Sequence, residues 1–320
     1  MHEERAARLR YELKAARSEI SKLHQHMNAI QRTVDRELAA TRRCALAAAT
    51  TGSSTSSCHG FVIIGHIESC FTYRNGTPRQ PGLAPSARSK LRVTWGSAAA
   101  HALDGLSEFS HVWIIFLFHQ NRGGEGVKAK VYPPRLDGAA TGVFACRSPH
   151  RPNPVGLSLV AVERIDGDTL YLKGADLIDG TPVIDIKPFI AYADTPSDRT
   201  PIREPAWVSQ GGKPRLRVEL TGCAHAQLQH ICASSDATNH VQHNALRFFK
   251  EDPEGMEAAI VEVLQADPRS VYRKQKCGGQ PYHVEVDGVL LTCTFRDQDD
   301  VVVEDAKLAT RNSPYSDSDA

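Results

Sequence analysis

The amino-acid sequence predicts a mainly β protein, in which a β-barrel domain follows an N-terminal coiled-coil helix and precedes a small C-terminal α+β domain. Two observations favour a barrel or a tightly curled sheet: short apolar runs succeed one another between Gly and Pro residues, and little helical periodicity separates them. A third excludes a doubly wound dinucleotide-binding fold, because no GxGxxG motif follows the first apolar run.

The composition is ordinary for a soluble globular protein. The chain has 320 residues, of which 23% are charged and 41% are hydrophobic, and its formal net charge is +1. So small a net charge creates no strong basic field around the whole molecule. Binding to a nucleic acid would therefore depend on local basic patches.

Cysteine usage and the terminal sequences indicate an intracellular protein. The eight cysteines include no CxxC pair and no zinc pattern with histidine, so we expect reduced thiols and no metal site. The N-terminal MHEERAARLR lacks the apolar region of a secretory signal, and no apolar stretch is long enough to span a bilayer. These features predict a protein of the cytosol or nucleus with no membrane association.

A heptad pattern runs through residues 1–45. Its apolar positions are spaced alternately four and three residues apart, from Leu9 to Val34, and neither Gly nor Pro interrupts them. A short homotypic coiled coil is the favoured interpretation, because four heptads with an exposed seam seldom stay unpaired. The alternative is a long helix laid on the globular body. Residues 46–60, rich in Ala, Ser and Thr, predict a flexible linker.

The β-barrel domain is expected over residues 61–193. Its longest apolar run, Ser110 to His119, predicts a central buried strand. The other predicted strands are 61–67, 91–95, 129–131, 142–146, 157–165, 169–173 and 183–186.

A Pro- and Gly-rich connector at 194–214 leads to the C-terminal α+β domain at 215–310. Here we expect a strand in RLRVEL, helices over 224–234, 239–249 and 253–265, and a β-hairpin turning at Asp287-Gly288. Residues 311–320 predict a disordered acidic tail.

The segment richest in chemical signals is the proline-rich loop between Cys146 and Val160. Its three prolines stiffen the backbone, so Arg147 and Arg151 point in fixed directions. Rigid guanidinium groups suit bidentate binding of a carboxylate or a phosphate. The spacing alone fits an ordinary surface turn with solvated arginines equally well.

The string GVFACRSPHRPNPVGLSLV resembles the signature of the TrmO/TsaA-like family of tRNA methyltransferases. Five more segments resemble that family in the same order, which makes the match far more specific than one motif. They are GTPRQPG (76–82), FSHVWIIFLFHQ (109–120), PPRLDGAATGVFA (133–145), GADLIDGTPVIDIKPF (174–189) and ADPRSVYRK (266–274). The resemblance extends from Phe61 to about Phe295.

The resemblance implies a single β-barrel methyltransferase domain that uses S-adenosylmethionine. It further implies methylation of N6 of threonylcarbamoyl-adenosine (t6A) at position 37 of tRNA, next to the anticodon, to give m6t6A. Homodimers with cofactor sites near the subunit boundary are also implied. The partners expected are therefore tRNA and a second copy of the chain.

The family's cofactor contacts carry over by position to four places in the chain. Each has a plainer interpretation: His119 as a strand-end residue facing solvent, Gln80 as support for its own loop, and Asp179 as a turn former. Arg147 is the strongest candidate. The full set is Arg79, Gln80, Pro81, Gly82, His119, Gln120, Arg147, Leu157, Asp176, Leu177, Ile178, Asp179 and Gly180.

The sequence leaves the catalytic group open. Asp185, Asp179 and His119 are all candidates for the general base, and Asp185 lies either on the solvent face of its strand or inward. Arg151 is the candidate partner for the threonyl carboxylate of the substrate.

In the C-terminal domain, four residues form a basic cluster with one aromatic ring, as phosphate contact and base stacking require. They are Arg269, Tyr272, Arg273 and Lys274. A solvated charge run is the alternative. At the level of the whole protein, the rivals to a tRNA methyltransferase are a catalytically idle cofactor- or RNA-binding module and a methyltransferase of small molecules.

Overall fold

The computed structural model describes residues 61–94, 98–120, 129–136, 138–196, 201–209, 216–233, 246–276, 279–296 and 299–309. The coiled coil expected at 1–45, the linker at 46–60 and the tail at 311–320 lie outside these ranges. None of the helices within them combines the length and the apolarity that a membrane span requires.

Eight strands belong to the first part of the chain. They are β1 (Gly65–Ser69), β2 (Arg88–Val93), β3 (His111–Leu117), β4 (Lys130–Val131), β5 (Thr141–Gly142), β6 (Val155–Asp166), β7 (Thr169–Lys173) and β8 (Pro182–Pro188). Six of them close into a barrel in the order β1-β2-β7-β6-β3-β8, while β4 and β5 pair with each other as a small arm. All neighbouring barrel strands are antiparallel. The mainly β fold with a closed barrel is thus confirmed.

Strand β3 is buried on one face only. Val112, Ile114 and Phe116 point into the barrel and are at most 6% exposed, whereas Trp113 and Ile115 alternate with them and remain partly exposed. Alternation of faces follows from the two-residue period of a strand. The continuous apolar run suggested a fully buried strand, but only one face of β3 is buried. The other face gives the barrel an apolar outer surface.

Two single-turn helices, α1 (Ala191–Asp194) and α2 (Ala206–Ser209), follow the barrel strands in the sequence and precede the C-terminal elements. Those elements are β9 (Arg217–Leu220), α3 (Gly222–Ala233), α4 (Pro253–Gln265), α5 (Val271–Lys276), β10 (Tyr282–Val286), β11 (Val289–Arg296) and β12 (Asp300–Leu308). The four strands form a sheet in the order β10-β11-β12-β9, with β9 parallel to β12. Helix α4 begins where the sequence predicts, with Asp252 accepting a hydrogen bond from Gly255 N at 2.9 Å.

The β10–β11 hairpin turns at Asp287 and Gly288 as expected, and both residues have positive φ angles, 47° and 78°. Two other expectations differ from the structure. Strand β12 was not expected, although it is a central strand with Val301, Val302 and Val303 buried. The helix expected over 239–249 is absent at its described end, because residues 246–250 form turns, and 239–245 lie outside the described ranges.

The connection between β1 and β2 belongs to the C-terminal core rather than to the barrel interior. Cys70, Phe71, Ala84 and Ala87 are buried in one apolar cluster with side chains of α4 and the C-terminal sheet. A separate cluster fills the barrel; its members include Ile67, Leu91, Ile114, Leu170, Leu172 and Val183. Since the β1–β2 connection carries the PRQPG segment, the C-terminal elements help to position that segment.

Candidate cofactor site

The proline-rich loop meets the β1–β2 connection at one hydrogen bond. Arg147 Nη1 donates to Gln80 Oε1 at 2.6 Å. In the same connection, Gly82 N donates to the carbonyl of Gly174 at 2.9 Å. Three of the four places expected to contact a cofactor are thereby brought together, although they are far apart in the sequence.

Asp176 lies near Arg147 at this meeting point. Ser158, which is 1% exposed on the inner face of β6, donates its hydroxyl to Asp176 Oδ1 at 2.5 Å. Burial raises the pKa of Asp176, while the Ser158 hydrogen bond and the nearby charge of Arg147 act in the opposite direction. The site therefore holds a guanidinium, an amide, a hydroxyl and a partly buried carboxyl group within one region.

Asp179, in the same segment as Asp176, has a different role in the structure. Its Oδ1 accepts hydrogen bonds from Ser69 N at 2.8 Å and from Arg247 Nη1 at 2.9 Å. Arg247 Nη2 also donates to the carbonyl of Ser69 at 2.5 Å. Asp179 thus anchors its segment to β1 and to the C-terminal residue Arg247.

Arg247 is itself held in place by Asp287 in the hairpin turn. The backbone N–H groups of Arg247, Phe248 and Phe249 all donate to the Asp287 carboxylate, at distances of 2.9 to 3.1 Å. Asp287 is 1% exposed. A buried carboxylate that accepts three backbone donors fixes the turn that presents Arg247.

C-terminal residues also hold the β1–β2 connection before, within and after PRQPG. Arg79 Nη2 donates to the carbonyl of Arg269 at 2.9 Å, and Asn75 Nδ2 donates to the carbonyl of His283 at 2.8 Å. Beyond the motif, Ser86 donates from its backbone and hydroxyl to the two carboxylate oxygens of Glu262, at 2.7 and 2.9 Å.

Gly76 permits the closest of these approaches. Its φ is +93°, and a Cβ atom at this position would lie 2.1 Å from Val284 Cγ2. Neither the backbone conformation nor the space accommodates a side chain. The turn before PRQPG therefore packs directly on β10.

His119 and Gln120 follow β3 at the same end of the barrel as the proline-rich loop. Phe118 N donates to the carbonyl of Pro154 at 2.8 Å, which ties the end of β3 to that loop. Partial desolvation, followed by the nearby charges of His66 and Arg74, lowers the pKa of His119. A lowered pKa favours the neutral imidazole, the form that is able to accept a proton.

Leu157 and Asp185 lie on the outer face of the barrel. Both pair with Ile115, one on each side, so the three side chains form a row across β6, β3 and β8. Leu157 is 53% exposed, and Asp185 forms an ion pair with Lys187 at 2.7 Å. Of the two orientations considered for Asp185, the structure has the outward one.

Arg151 holds the proline-rich loop together from inside. Its Nη1 donates to the carbonyls of Val143, Cys146 and Ser148 at 3.1, 2.8 and 3.4 Å. The guanidinium carbon lies 5.6 Å from the centre of the Phe144 ring. The loop is thus braced by prolines and by one arginine.

The C-terminal basic cluster is partly neutralised by Asp267. Arg269 donates to both Asp267 oxygens, at 2.9 and 3.1 Å, and Lys274 Nζ lies 2.7 Å from the same carboxylate. Although burial opposes the effect, the Arg269 and Lys274 hydrogen bonds lower the pKa of Asp267. Arg269 also lies over the Phe295 ring, at 3.6 Å from its centre. Tyr272, by contrast, is 65% exposed.

Sequence reasoning missed Ser158 and Arg247. A serine at a core-facing position of an apolar strand was the available signal for Ser158. Arg247 carried no local signal, because its partner Asp179 is 68 residues away. Across the part of the chain that the structure describes, no three His, Cys, Asp or Glu side chains are grouped as a metal ion requires.

Comparison with known proteins identifies the site segments as those of a characterised group. Residues 66–195 match the family described as tRNA-methyltransferase O N-terminal domain. An Escherichia coli K12 protein named tRNA (adenine(37)-N6)-methyltransferase is 38% identical over 229 residues, which are 70% of this chain and 88% of the relative. A Pseudomonas aeruginosa protein named putative S-adenosylmethionine-dependent methyltransferase RcsF is 38% identical over 69% of this chain and 86% of its own length.

Mammalian relatives match over a shorter region. A mouse protein named tRNA (adenine(37)-N6)-methyltransferase is 55% identical over 137 residues, which are 42% of this chain. The chain spans 31% to 40% of the length of the mouse, human and rat relatives. Among solved structures, TrmO from P. aeruginosa aligns with a TM-score of 0.58 and 31% identity, over 81% of this chain and all of that one.

Proposed function

The chain belongs to the TrmO family, and from that premise we propose that it is an S-adenosylmethionine-dependent tRNA methyltransferase acting on N6 of adenosine 37. The observation that supports this most directly is the hydrogen bond between Arg147 and Gln80, with Asp176 beside it. It joins segments that match the relatives and creates a polar site at one end of the barrel. We also propose a location in the cytosol or nucleus, where a tRNA substrate is available.

The side chains of this site suit S-adenosylmethionine chemically. The Arg147 guanidinium matches a carboxylate, and the Asp176 carboxyl group is an acceptor for a hydroxyl or an ammonium group. When bound, the cofactor supplies a methyl group on a sulfonium, and its in-line displacement depends strongly on positioning and on exclusion of water. The contacts of Arg247 and Asp179 serve that positioning, because they fix the Asp176–Gly180 segment.

We assign the role of general base, which takes the proton from N6, to His119. Asp179 already accepts two hydrogen bonds, and Asp185 is paired with Lys187 on the outer face of the barrel. His119 lies at the same end of the barrel as the proline-rich loop, and its lowered pKa favours the neutral form that a general base requires.

The substrate we propose is t6A, which is converted to m6t6A. The threonyl carboxylate of t6A calls for a cation in the site. Arg151 remains our candidate, because its contacts to the loop all leave from Nη1 within the described residues. Nε and Nη2 are then the donors directed to the substrate.

A homodimer is also part of the proposal. The outer row of Ile115 and Leu157, together with the neighbouring Trp113, gives the barrel an apolar outer face next to the cofactor segments. Apolar faces of this kind are typical of subunit contacts. A second copy packed there shields Leu157 and borders the cofactor site.

The test is transfer of labelled methyl groups from S-adenosylmethionine to tRNA from cells that lack this activity. Label on the nucleoside 3′ of the anticodon, lost in Arg147→Ala and kept in Arg217→Ala, supports the proposal; Arg217 pairs with Asp300 at 3.1 Å in the C-terminal sheet. Parallel reactions with tRNA that lacks the threonylcarbamoyl group test the substrate. Cofactor binding without methylation of any tRNA would instead favour a binding module or a small-molecule enzyme.

A further inference from the structure

Phe144 is a large apolar side chain that the function proposed above leaves unexplained. It lies in the 3₁₀ turn Val143–Ala145, immediately before the proline-rich loop, and it is 76% exposed. Its neighbour Val143 is 4% exposed and anchors the turn. An isolated exposed aromatic residue is ordinary on a protein surface. Phe144 differs because of what fixes it and what lies beside it.

The backbone that carries Phe144 is held on two sides. Val143 N donates to the carbonyl of Ala129 at 3.0 Å. The Val143 carbonyl accepts from Arg151 Nη1 at 3.1 Å, and the same nitrogen bonds to the carbonyls of Cys146 and Ser148. A ring on so constrained a turn loses little conformational freedom when a ligand binds.

The ring also has a cation next to it. The Arg151 guanidinium carbon is 5.6 Å from the ring centre, which is within the range of a cation–π contact. An aromatic ring beside a guanidinium is the combination on which nucleobases stack while a nearby anionic group meets the cation.

Phe144 lies close in the sequence to Arg147, a residue of the candidate cofactor site. Arg147 follows Phe144 by three residues and donates to Gln80 in the β1–β2 connection at 2.6 Å. A group stacked on Phe144 is therefore on the same loop as a residue proposed to hold the methyl donor.

We propose that Phe144 and Arg151 form a stacking platform for a nucleobase of the RNA substrate. The base lies on the exposed face of the Phe144 ring, and an anionic group of the same RNA, a phosphate or the threonyl carboxylate, meets Arg151. The proposal rests on the proposed function, because it takes RNA as the substrate. It adds a residue that binds RNA and does not bind the cofactor.

The experiment uses the full chain and an anticodon stem-loop with threonylcarbamoyl-adenosine at position 37 and 2-aminopurine beside it at position 38. Stacking on the wild-type ring quenches the fluorescence. We expect Phe144→Ala to lose the quenching and to weaken stem-loop binding by about ten-fold or more, in the range of one stacked base. Phe144→Trp keeps both. We expect the affinity for S-adenosylmethionine to stay within about two-fold of wild type in each variant, since Phe144 is not among the residues proposed to contact the cofactor.

Tyr192→Ala is the matched control, because Tyr192 is an 89% exposed aromatic residue on α1, outside the proline-rich loop. Arg151→Lys is tested on stem-loops with and without the threonylcarbamoyl group. A loss confined to the modified RNA identifies the anionic group as the carboxylate, and an equal loss on both identifies a phosphate. Because Arg151 also braces the loop through Nη1, either loss supports the platform only if the affinity for S-adenosylmethionine stays at the wild-type value. No loss on either RNA would remove Arg151 from the platform.

Wild-type affinity and quenching in Phe144→Ala would overturn the platform. So would a change from dimer to monomer in that variant, measured by light scattering, because the ring would then be a contact between protein chains. Methylation of full-length tRNA by the wild-type chain is measured in parallel. If the wild type methylates tRNA and Phe144→Ala does so with an unchanged KM, only the platform fails; if the wild type methylates none, the proposed function fails with it.

Discussion

Asp179 and Arg247 form an ion pair at 2.9 Å that joins the segment after β7 to the turn before α4. Arg247 also donates to the carbonyl of Ser69, and Asp287 fixes the turn that carries it. A residue of the C-terminal half thus supports one of the segments expected to contact the cofactor. The C-terminal half therefore helps to position a segment of the candidate cofactor site.

Arg247→Ala is expected to weaken binding of S-adenosylmethionine by about ten-fold, because the partly buried Asp179 loses its cation and its segment loses an anchor. Arg247→Lys keeps the charge but not both hydrogen bonds, so we expect an intermediate affinity. Isothermal titration calorimetry measures both variants. Arg217→Ala serves as the control, since it removes an exposed ion pair with Asp300 elsewhere. An unchanged affinity in Arg247→Ala would show that the ion pair supports the fold alone.

Arg147 and Gln80 are expected to act as one unit in cofactor binding. Arg147→Ala, Gln80→Ala and the double variant form a double-mutant cycle. Because the two side chains share a 2.6 Å hydrogen bond, we expect a coupling free energy of about 1 kcal/mol in the affinity for S-adenosylmethionine. If the two losses of binding free energy simply add, the two residues act on the cofactor independently of each other.

Gly76→Ala is expected to destabilise the protein strongly. An alanine backbone is strained at this positive φ, and its methyl group would lie 2.1 Å from Val284 Cγ2. Together these two effects are expected to lower the free energy of unfolding by about 2–4 kcal/mol. Gly105→Ala is the control: its φ is +79°, yet nothing lies within 4 Å of the added atom. Thermal denaturation compares the two variants. Equal losses would mean that β10 moves away at little cost.

The pH dependence of methylation is expected to report His119. Desolvation and the neighbouring charges of His66 and Arg74 lower the pKa of this imidazole. As a general base it is active when neutral, so kcat stays level above about pH 6.5 and falls as the pH drops through the lowered pKa. His119→Gln lowers kcat and removes this acidic limb. If kcat of His119→Gln still falls at acidic pH as in the wild type, another group is responsible for that fall.

Protonation of His119 also opposes folding. Because the folded-state pKa lies below the unfolded value, the unfolded chain binds this proton more readily, and stability decreases as the pH falls below about 6.5. Urea denaturation at pH 5 and pH 7.5 measures the difference, and His119→Gln is expected to make it smaller. A difference of the same size in the variant would contradict this assignment.

Leu157→Asp is expected to separate the proposed dimer. The side chain is 53% exposed in the outer row with Ile115, and a charge placed in an apolar contact is costly to desolvate. Light scattering after size-exclusion chromatography gives the mass. Ile202→Asp, at a 74% exposed position in the connector, controls for surface charge. If Leu157→Asp keeps the mass of the wild type, the subunit contact lies elsewhere or the protein is a monomer.

Much of the β structure follows from local sequence. Alternating burial and Gly or Pro boundaries mark most of the barrel strands, and Asp287-Gly288 marks the hairpin, because only a few residue types favour its positive φ angles. Strand β12 escaped this reasoning. Its Val301–Val303 run is a β-branched signal, but the acidic residues around it resemble the tail that follows.

The sequence likewise shows which segments form the candidate site but not the role of each residue in it. The proline-rich loop and its two arginines are visible in the sequence, and so are the PRQPG and DLIDG segments. Their roles are less visible: Arg151 braces its own loop, Asp179 anchors a segment, and Asp185 faces outward. Each role depends on which group stands opposite, and local spacing does not contain that information.

The sequence by itself therefore determined the β-rich domain, the stiff loop and the polar residue types available to a ligand, because these depend on backbone preferences and on the alternation of apolar residues. The tertiary structure decided which polar side chains pair: Arg147 with Gln80 near Asp176, Arg247 with Asp179, and Arg269 with Asp267. It also decided that C-terminal side chains support the cofactor segments. Ion pairs and hydrogen bonds act over a few ångströms, so they are set by how distant parts of the chain pack together.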